Sequence, residues 1–119
     1  MTNKPDFVQN RSCELRLEAD VRALCAFGPR HTGDPESLEL SAGWCAKRLE
    51  QSGWQVAAEP YKANGVMCAN LVAERCCDDP QAPWIIIGAH YDSVCTTPGA
   101  DDNASAVALL LEAAKRAAA

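Results

Sequence analysis

The stretch Trp84-Ile85-Ile86-Ile87-Gly88-Ala89 runs without a polar residue and ends on His90-Tyr91-Asp92. Its length is that of a strand, and three isoleucines and a tryptophan favour a pleated backbone. An apolar run without alternation suits a strand covered on both faces, as in an α/β sheet. The residues that follow would then lie at the carboxyl edge of the sheet, where such folds place their ligands. In an extended backbone residues i and i+2 point the same way, so Asp92 can reach the His90 ring. A carboxylate on one imidazole nitrogen fixes the tautomer and strengthens the other nitrogen as a metal donor.

Downstream, Pro98-Gly99-Ala100-Asp101-Asp102-Asn103 forms a short loop before an apolar helix that runs from about Asn103 or Ala104 to the last residue. Carboxylates at a helix start gain from the positive end of its dipole and are well placed to hold a cation. Taken singly, each feature has an ordinary reading. A histidine at a strand end is most often structural, and paired aspartates are most often a cap. The two together, one on a buried strand and one on a glycine-containing loop, point to a metal site. His31, the only other histidine, sits in the loop Gly28-Pro29-Arg30-His31-Thr32-Gly33 and is the weaker candidate. Cys95 is placed in a loop without a role.

Upstream, Leu17, Val21 and Leu24 recur at helical spacing from about Ser12 to Phe27, after a loose arm over residues 1–11. Asp34-Pro35 opens a second helix, with Asp as N-cap and Pro at the first helical position. Its stripe is Leu38, Ala42, Cys45 and Leu49, and Gly53 follows its end. Trp54, Val56 and Ala58 alternate with more exposed positions and predict a half-buried strand. A second strand is expected over about Met67–Glu74, with Asn64-Gly65 as a turn between them. The expected architecture is an α/β layer of three strands, with two helices before them and one after. Leu38, Leu49, Ile85, Ile87, Val107 and Leu111 are the predicted core.

The 119 residues suffice for one domain, and 48% hydrophobic with 23% charged is ordinary globular usage. Sixteen acidic against eleven basic residues give a net charge of -5, which disfavours nucleic-acid binding. The apolar runs are too short to span a membrane, and the polar N-terminus has no signal-peptide core. The expected location is therefore cytoplasmic. Seven cysteines, an odd number with no Cys-x-x-Cys, do not read as a disulfide framework. Adjacent Cys76 and Cys77 carry no assigned role.

Gly88-Ala89-His90-Tyr91-Asp92-Ser93 with Pro98-Gly99-Ala100-Asp101-Asp102-Asn103-Ala104-Ser105 resembles the first metal-binding region of the co-catalytic zinc aminopeptidases, metallopeptidase family twenty-eight. Gly28-Pro29-Arg30 with Gly33, and Asn70-Leu71-Val72-Ala73, resemble that family's approach to the site. The likeness extends over roughly residues 15 to 118. It implies a three-layer zinc-exopeptidase fold, present here as its N-terminal part over residues 12–119. It implies that His90 is a ligand of one zinc, that Asp102 bridges two zinc ions and that Asp92 orients His90. It further implies a cis peptide bond between Asp102 and Asn103. The family pattern continues with a Glu-Glu pair, an Asp and a His that these residues do not contain. The general base and three of the five metal ligands are therefore missing. The final helix also carries no Gly or Pro stop, so the expectation is a fragment, inactive on its own, of an enzyme that removes N-terminal residues from peptides. Within the same family the alternative enzyme is a glutaminyl cyclase, which the intact Asp-Asp-Asn disfavours. The alternative outside catalysis is a peptidase-like binding module or a degenerate fragment.

Overall fold

The computed structural model describes residues 7–119. Helix α1 spans Phe7–Cys25 and α2 spans Pro35–Gln51. Strands β1 (Val56–Ala63) and β2 (Val66–Ala73) follow, and α3 covers Ser105–Ala118. A wide helical turn, Ala100–Ala104, leads into α3. Helix α1 starts earlier than the sequence pattern suggests. Residues 7–11 of the expected loose arm are helical, and residues 1–6 lie outside the described residues.

Helix α2 forms as its sequence dictates. The Asp34 side chain accepts the Ser37 N–H at 3.1 Å, and Pro35 occupies the first helical position. Leu38, Cys45 and Leu49 of its stripe are buried, with Ser37 and Ser41 beside them. The two strands make an antiparallel hairpin through Asn64-Gly65, both at positive φ (51° and 77°). That conformation matches the twist of the flanking strands, and Asn-Gly adopts it at least cost. The expected alternation holds from Trp54 to Ala57, with Trp54 and Val56 half-buried and Gln55 and Ala57 exposed, and is lost from Ala58 onward, where the strand is mostly exposed.

The core gathers Leu24 of α1, Cys45 and Leu49 of α2, and Ala104, Val107 and Leu111 at the start of α3. Burying each leucine is worth about 1.5–3 kcal/mol. Leu38 is also buried, so four of the six predicted core positions are inside. Charged pairs tie the helices at the margin of this core. Arg16 of α1 makes a two-pronged contact with Glu112 of α3 at 3.0 and 2.8 Å, and Arg48 of α2 meets Asp20 of α1 at 2.9 Å. Helix α3 buries Val107, Ala108 and Leu111 but leaves Leu109 exposed, so one face rather than the whole segment is covered.

The central expectation about residues 84–89 is overturned. The described sheet has two strands, not three, and residues 84–89 belong to neither helix nor strand. Ile85 and Ile87 are exposed rather than core, at 86% and 63%, and Ile86 stands at 88%. The reason is partnership. An apolar run becomes a strand only when a neighbouring backbone supplies its hydrogen bonds, and among the described residues none does so for 84–89.

Candidate metal centre

His90 and Asp102, twelve residues apart along an irregular path, converge. His90 Nδ1 lies 2.9 Å from Asp92 Oδ1, and His90 Nε2 lies 3.2 Å from Asp102 Oδ1. A carboxylate only accepts, so Nδ1 is the donor to Asp92 and Nε2 is directed at Asp102. The three side chains remain open to solvent, with Asp102 the most exposed at 81%.

The loop that carries Asp102 is shaped by close packing. Gly99 has φ of 64°, and a Cβ there would stand 2.4 Å from the Asp102 carbonyl oxygen and 2.8 Å from Ser93 Cβ. Only glycine fits. The Asp102–Asn103 peptide bond is cis, as the resemblance implies. Asn103 Nδ2 donates to the His90 carbonyl at 3.3 Å, which ties the aspartate loop to the histidine segment. Ser105 Oγ donates to the Asp101 carbonyl at 2.9 Å and closes the turn. Asp101 itself is exposed and faces neither His90 nor Asp102 through any hydrogen bond among the described residues.

Sequence reasoning passed over the residue that holds the site in place. Arg30 is fully buried. Its guanidinium donates to four backbone carbonyls: Tyr91 at 2.6 Å, Pro98 at 2.6 Å, Leu24 at 3.1 Å and Gly28 at 3.2 Å. Its backbone is bound as well, its N–H to Ser93 Oγ at 2.9 Å and its carbonyl to the Ser93 N–H at 2.7 Å. Arg30 thus joins the end of α1, the His90-Tyr91-Asp92 segment and the loop before Asp102. Burial pushes its pKa below the usual guanidinium value, against the pull of the nearby Cys25, Cys45 and Asp92. No carboxylate pairs directly with it, so backbone carbonyls supply its hydrogen bonds, and Nη2 is buried without a partner among the described residues. The signal was available in Gly28-Pro29-Arg30, but a loop arginine gives no hint in sequence that it is buried.

Tyr91, between the two site residues, donates its hydroxyl to the Ala69 carbonyl at 2.7 Å, and burial pushes its pKa up to about 12. A cavity of about 410 Å³ opens beside His90, Tyr91 and Asp92 and is also lined by His31, Tyr61 and Leu71. His31 borders that cavity, but its Nδ1 accepts the Gly33 N–H at 3.1 Å, a local turn contact. Cys95 is exposed and takes no part.

The donor chemistry fits a zinc ion between His90 and Asp102. Two donors held about 2.0–2.2 Å from a tetrahedral zinc stand roughly 3.3 Å apart, and the Nε2 to Oδ1 separation is 3.2 Å. Both ring nitrogens of His90 face carboxylates, and a cation held between Nε2 and Asp102 would satisfy the second of these pairs. Among the described residues no group of three or more His, Cys, Asp or Glu side chains is assembled for a metal. The pair supplies part of a coordination shell.

Comparison with known proteins bears on the family resemblance. Residues 70–119 match the profile described as Peptidase family M28, the segment that carries His90, Asp92 and Asp102. The match bears out the resemblance to the N-terminal portion of that family's domain. The chain is also 39% identical over 109 residues to the uncharacterized protein YfbL of Escherichia coli (strain K12). That alignment takes in 84% of the chain and 33% of YfbL, so the chain spans about a third of the length of this relative. No solved structure matches.

Proposed function

We propose that these residues form the N-terminal part of a zinc-dependent aminopeptidase, with peptides as substrate. The coarser statement, a peptidase-like domain with hydrolase chemistry, rests on the M28 match. The observation that carries the finer one is the His90 Nε2 to Asp102 Oδ1 pair at 3.2 Å, with Nδ1 already engaged by Asp92.

Zinc bound there supplies a Lewis acid that polarises a carbonyl and activates water at neutral pH. The residues of this chain do the positioning. Asp92 accepts from Nδ1 and fixes the ring, so that Nε2 would be the nitrogen to hold a metal. Asp102, on a loop fixed by Gly99 and Asn103, would supply a carboxylate beside it and offset part of the metal's charge. Arg30 holds both segments in register through Tyr91 and Pro98. The exposed face above these side chains leaves access for a peptide terminus. Among the described residues only Asp92 and Asp102 stand against His90, both engaged with its ring, so a general base toward water would have to come from another group.

The test is an aminopeptidase assay on the product of the complete reading frame, with and without zinc, using aminoacyl chromogenic substrates. Zinc-dependent turnover that falls by about a thousandfold or more in His90→Ala and Asp102→Ala supports the reading, since each removes a metal ligand. Turnover that survives both substitutions contradicts it. Cyclisation of N-terminal glutamine in place of hydrolysis would assign the site to a glutaminyl cyclase. Zinc binding without either reaction would favour a non-catalytic module.

A further inference from the structure

The buried Arg30 clamp fixes a second imidazole beside the candidate metal pair. Arg30 and Ser93 are joined at the backbone, the Ser93 N–H to the Arg30 carbonyl at 2.7 Å and the Arg30 N–H to Ser93 Oγ at 2.9 Å. His31 and Asp92 are each one residue from that junction. Two α-carbons so placed stand no more than about 14 Å apart. Both residues border the cavity of about 410 Å³, together with His90.

The His31 ring is pinned from two sides. Its Nδ1 accepts the Gly33 N–H at 3.1 Å. A backbone N–H only donates, so Nδ1 carries no proton and the ring proton is on Nε2. The ring lies so close to Gly33 that a Cβ there would stand 2.7 Å from Cε1 and 2.8 Å from Nδ1. On the other side of the loop, Asn64 Nδ2 donates to Thr32 Oγ1 at 3.0 Å, so the turn between β1 and β2 braces it. Nε2 has no hydrogen-bond partner among the described residues. The half-buried ring is thus a fixed, unspent donor whose rotation is restricted before any ligand arrives. The metal pair has the opposite character, with two carboxylates that attract positive groups. A ligand that spans the two is sorted end from end, its cationic or metal-bound part at His90 and an acceptor oxygen at His31.

We propose that His31 binds the substrate, its Nε2–H donating to an acceptor oxygen of the peptide residue that follows the scissile bond. That oxygen is the main-chain carbonyl in a longer peptide and the terminal carboxylate in a dipeptide. The inference rests on the aminopeptidase reading and extends it to the choice of substrate.

The test is steady-state kinetics on the zinc-loaded product of the complete reading frame. It compares an aminoacyl naphthylamide, which has no residue beyond the scissile bond, with a tripeptide amide and a dipeptide sharing its first residue. His31→Ala should raise KM for both peptides about threefold to tenfold, with kcat kept within about twofold, as loss of uniform binding requires. The preference for peptide over naphthylamide should fall by the same factor, and zinc content by metal analysis should match the wild type. His31→Gln keeps a donor and should recover part of the loss. Gly33→Ala pushes a methyl against the ring without removing it and should reproduce the loss. A larger rise for the dipeptide marks its carboxylate as the acceptor, and an equal rise marks the main-chain carbonyl. An unchanged peptide KM, or an equal loss on the naphthylamide, would overturn the proposal and leave zinc-dependent hydrolysis standing. Failure of the wild type to hydrolyse any of the three substrates with zinc would overturn the aminopeptidase reading and this inference with it.

Discussion

The Arg30 region and the 84–89 run are only one residue apart at His90, yet they have opposite fates. Around Arg30, polar groups from three segments are buried and nearly all engaged, and the loops that carry His90 and Asp102 are fixed by it. Along 84–89, three isoleucines face solvent with no backbone partner among the described residues. By composition the order should be reversed, since arginine resists burial and isoleucine seeks it. Apolarity states what a segment gains from burial. Whether it is buried depends on a partner of the right shape, and Arg30 has its partners within the described chain while Ile86 does not.

The sharpest way to break this contrast is at Arg30. Arg30→Ala removes four side-chain hydrogen bonds and leaves buried carbonyls without donors, so it should cost more than about 3 kcal/mol in urea unfolding. Arg30→Lys should recover only part, because an ammonium cannot reproduce the planar fork. A near-neutral alanine variant would show that the three segments hold without it.

A smaller effect separates core from open run. Leu49→Ala should cost about 2–5 kcal/mol, whereas Ile86→Ala in the 119-residue chain should stay within about 0.5 kcal/mol. Equal losses in the same unfolding assay would mean that 84–89 is covered after all.

The helix margin gives a pH signature. The hydrogen bond from Arg16 holds the Glu112 carboxyl down at about 2, against the desolvation that would raise it. A lowered folded pKa means stability that is present above the unfolded value of about 4.3 and lost as pH falls toward the folded one. The urea midpoint of the wild type should therefore fall between about pH 4.5 and pH 2, and the advantage over Glu112→Gln should shrink across that window. A constant difference would remove Glu112 from the account.

The smallest effect is chemical. Burial pushes the Cys45 thiol up to about 12, so alkylation at pH 8 should leave it unmodified while exposed Cys76, Cys77 and Cys95 react. Early labelling of Cys45, read by peptide mass spectrometry, would show the α1–α2–α3 core opening.

Much of the helical side was legible because its signals are local. Asp34-Pro35, the Leu38–Cys45–Leu49 stripe and Asn64-Gly65 each encode their structure within a few residues. The same holds for the candidate site, where His90-Tyr91-Asp92 and the Gly99–Asn103 loop carry their geometry in their spacing. The pairing of 84–89 was not legible, because strand formation depends on a neighbour that sequence pattern does not specify. The burial of Arg30 was hidden for the same reason, since its four acceptors come from residues 24, 28, 91 and 98.

The central claim is that His90 and Asp102 share a metal ion. The measurement that meets it most directly is anomalous scattering at the zinc edge from crystals of the complete reading-frame product grown with zinc. The account predicts a peak about 2.0–2.2 Å from both His90 Nε2 and an Asp102 carboxylate oxygen, with Asp92 still on Nδ1. Zinc held instead by His31 or by Cys76 and Cys77, with His90 and Asp102 bare, would contradict it.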